Sequence, residues 1–234
     1  MNNWSPPQRP AVYAVQALVT AIIDHTYPPG STLPAERELA AQLGVTRPTL
    51  REALRKLESD GWLEVQQGKP TRVKDFWREG GLNVLSSLVH YGTELPPDFI
   101  PNLLEVRLAM APAYARAAIE HDPHEVSACL SQAANLPDTP EDFASFDWRL
   151  HSTLTISSGN PIYTLILNGF SGFYEEMARL YFAGQEARQA SRDYYRDLLR
   201  AADQGDASEA EHITCSVMQA SIDLWKRLER EGER

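Results

Sequence analysis

The stretch Thr46 to Leu57, TRPTLREALRKL, predicts a helix with different chemistry on two faces. Apolar residues fall at positions i, i+3, i+4 and i+7, which places them in one stripe that can pack on a core. These residues are Leu50, Ala53, Leu54 and Leu57. Arginines recur every four residues on another face, at Arg47, Arg51 and Arg55, and Thr46 can cap the first turn. Taken alone, such a row is more typical of a solvated surface, but it also fits a recognition helix that enters the major groove of DNA.

The segments around this helix favour the DNA-binding interpretation. A short helix is predicted to begin at Pro34, and Gly44 directly after it suits a C-cap with positive φ. Two short helices joined by Gly44 to Thr46 form a helix-turn-helix. Further along, Trp62 to Val65 and Thr71 to Val73 read as two strands around a glycine-bearing, basic tip. This hairpin is either an ordinary surface hairpin or the wing of a winged helix, and its place directly after a helix-turn-helix favours the wing.

The net charge of −10 is divided unevenly along the chain. Residues 1–75 carry nine basic and eight acidic side chains, and seven of the nine basic ones lie between Arg47 and Lys74. The remaining residues carry 13 basic and 24 acidic side chains. This division fits a DNA-binding domain joined to an acidic domain.

Composition narrows the class of protein further. A chain of 234 residues with 43% hydrophobic residues can hold one large or two ordinary domains. It has no run of eighteen apolar residues, and its start, MNNWSPPQRP, lacks the pattern of a signal peptide. We therefore expect a cytoplasmic protein without a membrane partner. Cys129 and Cys215 have no metal-ligand spacing, which argues against a disulfide framework or a zinc knuckle.

The segment from Pro28 to Val73, PPGSTLPAERELAAQLGVTRPTLREALRKLESDGWLEVQQGKPTRV, resembles the winged-helix domain of the GntR family of bacterial transcription regulators. The resemblance implies a homodimer that binds a palindromic double-stranded DNA operator. It also implies DNA contacts from the bracing helix, the recognition helix and the wing tip. The implied residues are Arg37, Thr46, Arg47, Thr49, Arg51, Gln67, Gly68 and Lys69.

The rest of the chain shows helical rather than alternating periodicity. We predict a mostly α protein with three parts: a winged helix-turn-helix DNA-binding domain at 1–74, a linker at 75–83, and an all-helical effector-binding and dimerisation domain at 84–234. The last part is expected to be a bundle of about seven antiparallel helices, with a kink or a break at Pro112. The helical stretches are Leu82 to His90, Pro97 to Glu120, Pro123 to Asn135, Pro140 to Ser157, Pro161 to Ala183, Gln185 to Gln204 and Asp206 to Glu229.

Several segments of this helical part resemble the FadR subfamily of these regulators, in particular members that respond to fatty acids. The matching segments are GKPTRVKDFW, GLNVL, NLLEVR, SGNPIYTLILNG and FYEEMARLYFAGQEAR. The resemblance implies a regulator that represses fatty-acid degradation and can also activate unsaturated fatty-acid synthesis. It further implies that the protein needs no cofactor and leaves DNA when long-chain acyl-CoA binds as effector.

An acyl-CoA site needs an apolar tunnel between helices and polar groups nearer the surface, because each buried methylene group contributes about 0.8 kcal/mol. Ser221 and Trp225 lie one turn apart on one helix and can meet the same ligand. Arg107 is a candidate for phosphate or carbonyl contact, although a solvated or salt-bridged arginine is equally consistent with the sequence. The expected effector-binding residues are Leu103, Leu104, Arg107, Met110, His151, Tyr174, Tyr181, Ser221 and Trp225.

A metal-dependent sensor of a small carboxylate is the alternative. Asp147 and His151 are four residues apart on one helix face, and many members of the subfamily hold a divalent metal with an aspartate and three histidines. By our alignment, the other two histidine positions carry Tyr195 and Gln219, so we expect no metal. An enzyme is not expected either, because the chain has no Gly-rich phosphate loop, nucleophile elbow or HExxH motif.

Overall fold

The computed structural model describes residues 9–66, 68–92, 95–96 and 98–232, with side chains described as far as residue 227. The chain divides into two compact units, residues 1–95 and residues 96–234. The described residues are mostly α-helical and contain one short two-stranded sheet. None of the described helices is both long enough and apolar enough to span a membrane.

The first unit is built on three helices and a hairpin. The helices are α1 (Pro10–Ile23), α2 (Glu36–Leu43) and α3 (Arg47–Asp60), and the strands are β1 (Leu63–Glu64) and β2 (Arg72–Val73). The strands pair antiparallel, with Leu63 opposite Val73, and Thr32 bridges to Arg72 on the far side of β2. A helix-turn-helix followed by such a hairpin is the winged-helix arrangement that the sequence predicted.

The apolar stripe of α3 holds this unit together. All four residues of the stripe are buried, as the helical spacing predicted. The helix begins at Thr46, whose side-chain oxygen accepts a hydrogen bond from the backbone N–H of Thr49 at 3.3 Å. Gly44 ends α2 in the left-handed conformation, with φ of 66°, which lets the chain turn directly into α3. These two caps fix the direction in which α3 presents its arginines.

The segment predicted as a linker, 75–83, is partly helical and packed. It contains α4 (Phe76–Glu79) and leads into α5 (Asn83–Tyr91), and both helices lie in the first unit. The ring of Phe76 is buried with its centroid 4.7 Å from that of Trp62. Gly80 has an ordinary φ of −81°, but a Cβ there would lie 2.4 Å from the carbonyl oxygen of Phe76. Glycine is thus required at this position because a side chain has no space there. The predicted division at 74 and 84 remains a prediction.

The second unit is a helical bundle. Its helices are α6 (Phe99–His121), α7 (Pro123–Leu130), α8 (Pro140–Ser157), α9 (Pro161–Asn168), α10 (Tyr174–Phe182), α11 (Gln185–Gln204) and α12 (Ala207–Gly232), with a 3-10 turn at Ser131–Asn135. The long helix α12 packs along α6 and beside α11, and α10 packs on α8. The apolar residues between these helices form one buried core.

Two details of the bundle differ from the sequence prediction. The stretch from Pro161 to Ala183 is two helices, α9 and α10, because the chain turns at residues 169–173, where Gly169 and Gly172 lie. Conversely, α6 runs through Pro112 without a break. A proline inside a helix removes one backbone hydrogen bond, and α6 continues past Pro112 without that bond.

Candidate functional site

The outer face of α3 presents the candidate DNA interface. The side chains of Arg47 and Arg51 are 56% and 55% exposed, and Thr46 at the start of the helix is exposed beside them. Arg37 is exposed on the neighbouring helix α2, and Thr49 is half-buried with its hydroxyl 2.9 Å from that of Thr46. An exposed row of guanidinium and hydroxyl groups at a helix N-terminus is chemically suited to phosphates and guanine edges.

A single carboxylate organises these arginines. Glu36, in the first turn of α2, accepts a hydrogen bond from Arg51 Nε at 2.8 Å, and its Oε2 lies 3.8 Å from Arg47 Nη2. Both pairs are exposed, so water screens them and each contributes little to stability. The arginines can therefore exchange this carboxylate for phosphates at a small cost in free energy.

The tip of the hairpin carries two of the predicted DNA contacts. Gly68 has a positive φ of 74°, and Lys69 is exposed, with its Nζ donating to Gln66 Oε1 at 2.8 Å. Gln67, the third predicted contact, lies outside the described residues. Arg72, lower on the hairpin, is neutralised by carboxylates on both sides: it donates to Glu64 at 2.7 Å and to Glu79 at 2.9 Å. The charge at the tip thus comes from Lys69.

The second unit contains a partly open cavity of about 120 Å³, which several methylene groups or water molecules can fill. Side chains from α6, α8, α9, α10 and α12 line it, and almost all of them are apolar or aromatic. Eight of the nine predicted effector residues contribute to its wall. They are Leu103, Leu104, Arg107, Met110, His151, Tyr174, Tyr181 and Trp225.

Ser221 is the predicted effector residue that does not line the cavity. Its hydroxyl is buried, donates to the carbonyl oxygen of Val217 at 2.9 Å and accepts from the hydroxyl of Tyr181 at 3.0 Å. Ser221 and Trp225 lie one turn apart on α12, as the sequence predicted. The hydroxyl of Ser221, however, bonds to Val217 and Tyr181 and does not line the cavity. Its contact is with Tyr181, so it orients a lining side chain.

A polar cluster lies at one side of this apolar wall, centred on Asp147 of α8. The carboxylate, 2% exposed, accepts hydrogen bonds from Arg107 Nη2 at 2.7 Å and from the hydroxyls of Tyr174 and Tyr195 at 2.5 and 3.1 Å. Burial by itself would raise the pKa of Asp147, but the charge of Arg107 and these hydrogen bonds hold it below its usual value. Asp147 is therefore an anion that neutralises Arg107.

His151, one turn after Asp147, is the neutral member of the cluster. Burial and the charge of Arg107 lower the pKa of His151 to about 3. Its Nε2 lies 2.5 Å from Arg107 Nη2, which can only donate, so Nε2 is the acceptor and the ring proton sits on Nδ1. This Nδ1–H donates to the hydroxyl oxygen of Tyr114 at 2.6 Å.

Sequence reasoning missed several residues of the cavity. Tyr114 follows Arg107 by seven residues, two helical turns, so the spacing that places both on one face of α6 could have identified it. The residues from α9 and the turn after it, including Tyr163 and Phe170, gave no such signal, because that segment was read as one continuous helix.

The geometry also tests the metal alternative. The guanidinium of Arg107 contacts both Asp147 and His151, and a cation between these two side chains would meet its positive charge. Tyr195 donates to Asp147, and Gln219 is exposed, with its amide 3.4 Å from Asp223. Within the described parts of the chain, no three His, Cys, Asp or Glu side chains come together as metal ligands. The donor set does not fit a divalent metal.

Two family models cover nearly the whole chain. One, described as the bacterial regulatory proteins of the gntR family, matches residues 10–73, and the other, described as the FadR C-terminal domain, matches residues 74–232. The solved structure of Lar from Listeria monocytogenes has a similar fold, with a TM-score of 0.65 at 18% identity over 97% of this chain and all of that one.

Curated relatives give closer matches. The fatty acid metabolism regulator protein of Shewanella pealeana is 46% identical over 193 residues, which cover 82% of this chain and 81% of that protein. The protein of the same name from Shewanella amazonensis is 42% identical over 94% of this chain and 91% of its own length. Both are named as regulators rather than as enzymes, in agreement with the sequence prediction. The chain therefore belongs to the gntR family of bacterial transcription regulators, in the group that carries a FadR C-terminal domain.

Proposed function

We propose that this protein regulates genes of fatty-acid metabolism as a cytoplasmic homodimer, and that long-chain acyl-CoA releases it from a palindromic operator. In this proposal it represses fatty-acid degradation and can also activate unsaturated fatty-acid synthesis. The observation that carries the proposal is the apolar cavity in the helical bundle, whose wall includes most of the residues expected from the sequence. The names of the relatives support the metabolic assignment.

The wall of the cavity fits an acyl chain. Its residues are mainly Leu, Ile, Met, Phe and Tyr, so the part of a chain that enters the cavity loses contact with water. Trp225 of α12 and Arg107 of α6 add an indole and a cation to the same wall. Binding shifts the protein towards the conformation that holds the chain more tightly, and release of DNA follows if that conformation fits the two half-sites less well.

Ligand binding is tested by calorimetry on the full-length protein with oleoyl-CoA and with coenzyme A alone. Oleoyl-CoA is expected to bind one site per chain, and coenzyme A alone to bind far more weakly, because the acyl chain supplies most of the buried area. Equal binding of the two compounds would contradict the proposal.

A matched pair of variants on α9 locates the site. Leu167→Trp adds bulk inside the cavity wall, whereas Leu165→Trp adds the same bulk at a position that is 64% exposed. Oleoyl-CoA is expected to lose affinity for Leu167→Trp and to bind Leu165→Trp as it binds the parent protein. Circular dichroism shows whether each variant remains folded. If Leu167→Trp is folded and binds normally, the ligand lies elsewhere.

DNA release is measured on a duplex selected from a random-sequence library by the protein itself. Fluorescence anisotropy of the labelled duplex should fall as oleoyl-CoA is added, and coenzyme A should leave it unchanged. Trp225→Ala is expected to keep its affinity for DNA and to need more oleoyl-CoA for release. The selected duplex should be palindromic if a dimer binds it.

A further inference from the structure

One hydroxyl proton in the cavity wall finds no acceptor among the residues that the structure describes. Because the Nδ1–H of His151 donates to the hydroxyl oxygen of Tyr114, that bond leaves the proton of Tyr114 unused. No second hydrogen bond of this hydroxyl is found in the described parts of the chain. Tyr114 is 4% exposed and lines the cavity, so its proton needs an acceptor that the ligand can supply.

The other side chains of the cluster also offer more hydrogen-bond donors than acceptors. The Nε of Arg107 is also buried and has no hydrogen-bond partner among the described residues, whereas the carboxylate of Asp147 already accepts from three side chains. A ligand that completes this wall should bring an acceptor oxygen rather than another donor.

The charges in the cluster indicate which kind of acceptor oxygen the ligand carries. Arg107 and Asp147 neutralise each other at 2.7 Å, and His151 is neutral. A carboxylate placed beside this cluster would be an uncompensated buried charge, which is strongly disfavoured, whereas a neutral carbonyl oxygen would not. In an unsubstituted acyl thioester, the only oxygen of the acyl group is such a carbonyl.

We propose that Tyr114 is a specificity-determining residue whose O–H donates to the thioester carbonyl oxygen of the effector, and that the neutral cluster behind it excludes the free fatty acid. This inference rests on the proposed function, since it requires that the cavity takes an acyl thioester. It assigns the discrimination between activated and free fatty acid to this wall of the cavity. The hydrogen-bonded pair of Tyr114 and His151 in a mainly apolar wall then has a function.

The test compares two ligands that differ in the carbonyl alone. Palmitoyl-CoA carries the thioester, and S-hexadecyl-CoA replaces its C=O by CH₂. The full-length protein is expected to bind palmitoyl-CoA about three- to tenfold more tightly, which is the effect of one hydrogen bond. Tyr114→Phe should remove most of this preference while keeping its affinity for S-hexadecyl-CoA, which shows that the cavity is intact. Palmitate should bind much more weakly than either compound.

The control variant is Tyr194→Phe. Tyr194 is as buried as Tyr114, but its hydroxyl contacts Thr214 and does not line the cavity. This variant should keep the full preference for palmitoyl-CoA. Equal affinity of the parent protein for both coenzyme A derivatives, or tight binding of palmitate, would overturn the inference and leave the proposed function standing. If neither derivative binds or releases DNA, the proposed function itself fails.

A spectroscopic measurement covers the case in which Tyr114→Phe does not fold. Palmitoyl-CoA labelled with ¹³C at the carbonyl should show its C=O stretch at lower frequency when bound to the parent protein than in an apolar solvent, because a donated hydrogen bond weakens the double bond. A bound carbonyl that vibrates at the frequency seen in apolar solvent would overturn the assignment.

Discussion

Arg51 on α3 and Arg107 beside the cavity each donate to a carboxylate at almost the same distance, 2.8 Å to Glu36 and 2.7 Å to Asp147. Their surroundings differ. The side chains of the first pair are 55% and 36% exposed, whereas those of the second are 21% and 3% exposed. Equal distances therefore do not mean equal free energies, because water screens the first pair and is largely excluded from the second.

The two environments suit two tasks. An exposed pair is cheap to separate, so Arg51 can leave Glu36 for a phosphate or a base. Separating a buried pair leaves an uncompensated charge, so Arg107 and Asp147 form a fixed element against which Tyr174 and Tyr195 are positioned. The same chemical contact is thus easy to exchange on one surface and rigid in the bundle.

The largest effect is expected when the buried pair is broken. Asp147→Asn keeps the shape of the side chain but leaves the charge of Arg107 uncompensated. We expect the free energy of unfolding to fall by about 3 kcal/mol, the low end for such pairs, because Arg107 keeps some contact with solvent. Urea denaturation of the full-length protein measures it.

A double variant controls for the loss of the carboxylate itself. Arg107→Met combined with Asp147→Asn removes both charges and should recover part of the lost stability relative to Asp147→Asn alone. A loss below about 1 kcal/mol in the single variant would show that this pair behaves like an exposed one.

The second effect is a loss of DNA affinity when the exposed arginines of α3 are removed. Arg47→Ala and Arg51→Ala should each weaken DNA binding by about 1–3 kcal/mol, since both extend from the helix that is expected to enter the groove. Their free energies of unfolding should change by less than about 0.5 kcal/mol, because neither side chain is buried. Anisotropy and urea denaturation report the two quantities separately.

Arg196→Ala is a suitable control, because Arg196 is 60% exposed and paired with aspartates on α11, outside the winged helix. It should not change DNA binding. If all three variants bind DNA equally well, α3 is not the recognition helix.

The third effect is a dependence of stability on pH that comes from the buried cluster. In the folded protein the pKa of His151 is lowered to about 3 from an ordinary value of 6.5. Between these values the unfolded chain binds more protons than the folded one, so the free energy of unfolding falls as the pH decreases from 6.5. At pH 5 this contribution is about 2 kcal/mol.

The measurement compares unfolding at pH 7.5 and pH 5 in two variants. The double variant His151→Phe with Tyr114→Phe should lose the pH dependence that comes from His151, whatever its absolute stability. His212→Gln replaces an exposed histidine of α12 and should retain it. An unchanged slope in the double variant would mean that His151 is not held neutral by its surroundings.

The contrast between these regions also shows what sequence could predict. The face of α3 followed from spacing alone, since Leu50 and Leu57 repeat along one helix and the caps Gly44 and Thr46 are local signals. The wall of the cavity was anticipated mainly through the resemblance to the FadR subfamily, and the structure places eight of the nine expected residues there.

The rest depends on contacts between segments that are distant in sequence. The hydrogen bond between Tyr114 and His151 joins α6 to α8. The two residues are 37 positions apart in sequence, so no local pattern predicts the contact. Gly80 lies in the segment predicted as a linker, and the need for glycine there comes from the nearness of Phe76 and Val84, which no local pattern shows. Local periodicity fixes which face of a helix is buried, whereas partners across the bundle are decided by packing.

The smallest effect should come from Glu36→Gln, which removes the carboxylate of the exposed pair and keeps its shape. The free energy of unfolding should change by less than about 1 kcal/mol. DNA affinity should rise by about 0.5 kcal/mol, roughly twofold, because a negative charge beside the phosphates is lost. The gain should shrink as salt is added, since salt screens that repulsion.

Glu36→Gln made in the Arg51→Ala variant shows how Glu36 affects DNA binding. If Glu36 only repels phosphates, the gain from Glu36→Gln persists in the Arg51→Ala background, because the two effects add. If Glu36 holds Arg51 in the orientation that DNA requires, Glu36→Gln lowers affinity in the parent protein and has no effect once Arg51 is absent. The second result would mean that an exposed pair can also position a side chain. The two arginine pairs would then differ in the free energy of the ion pair but not in what the pair does.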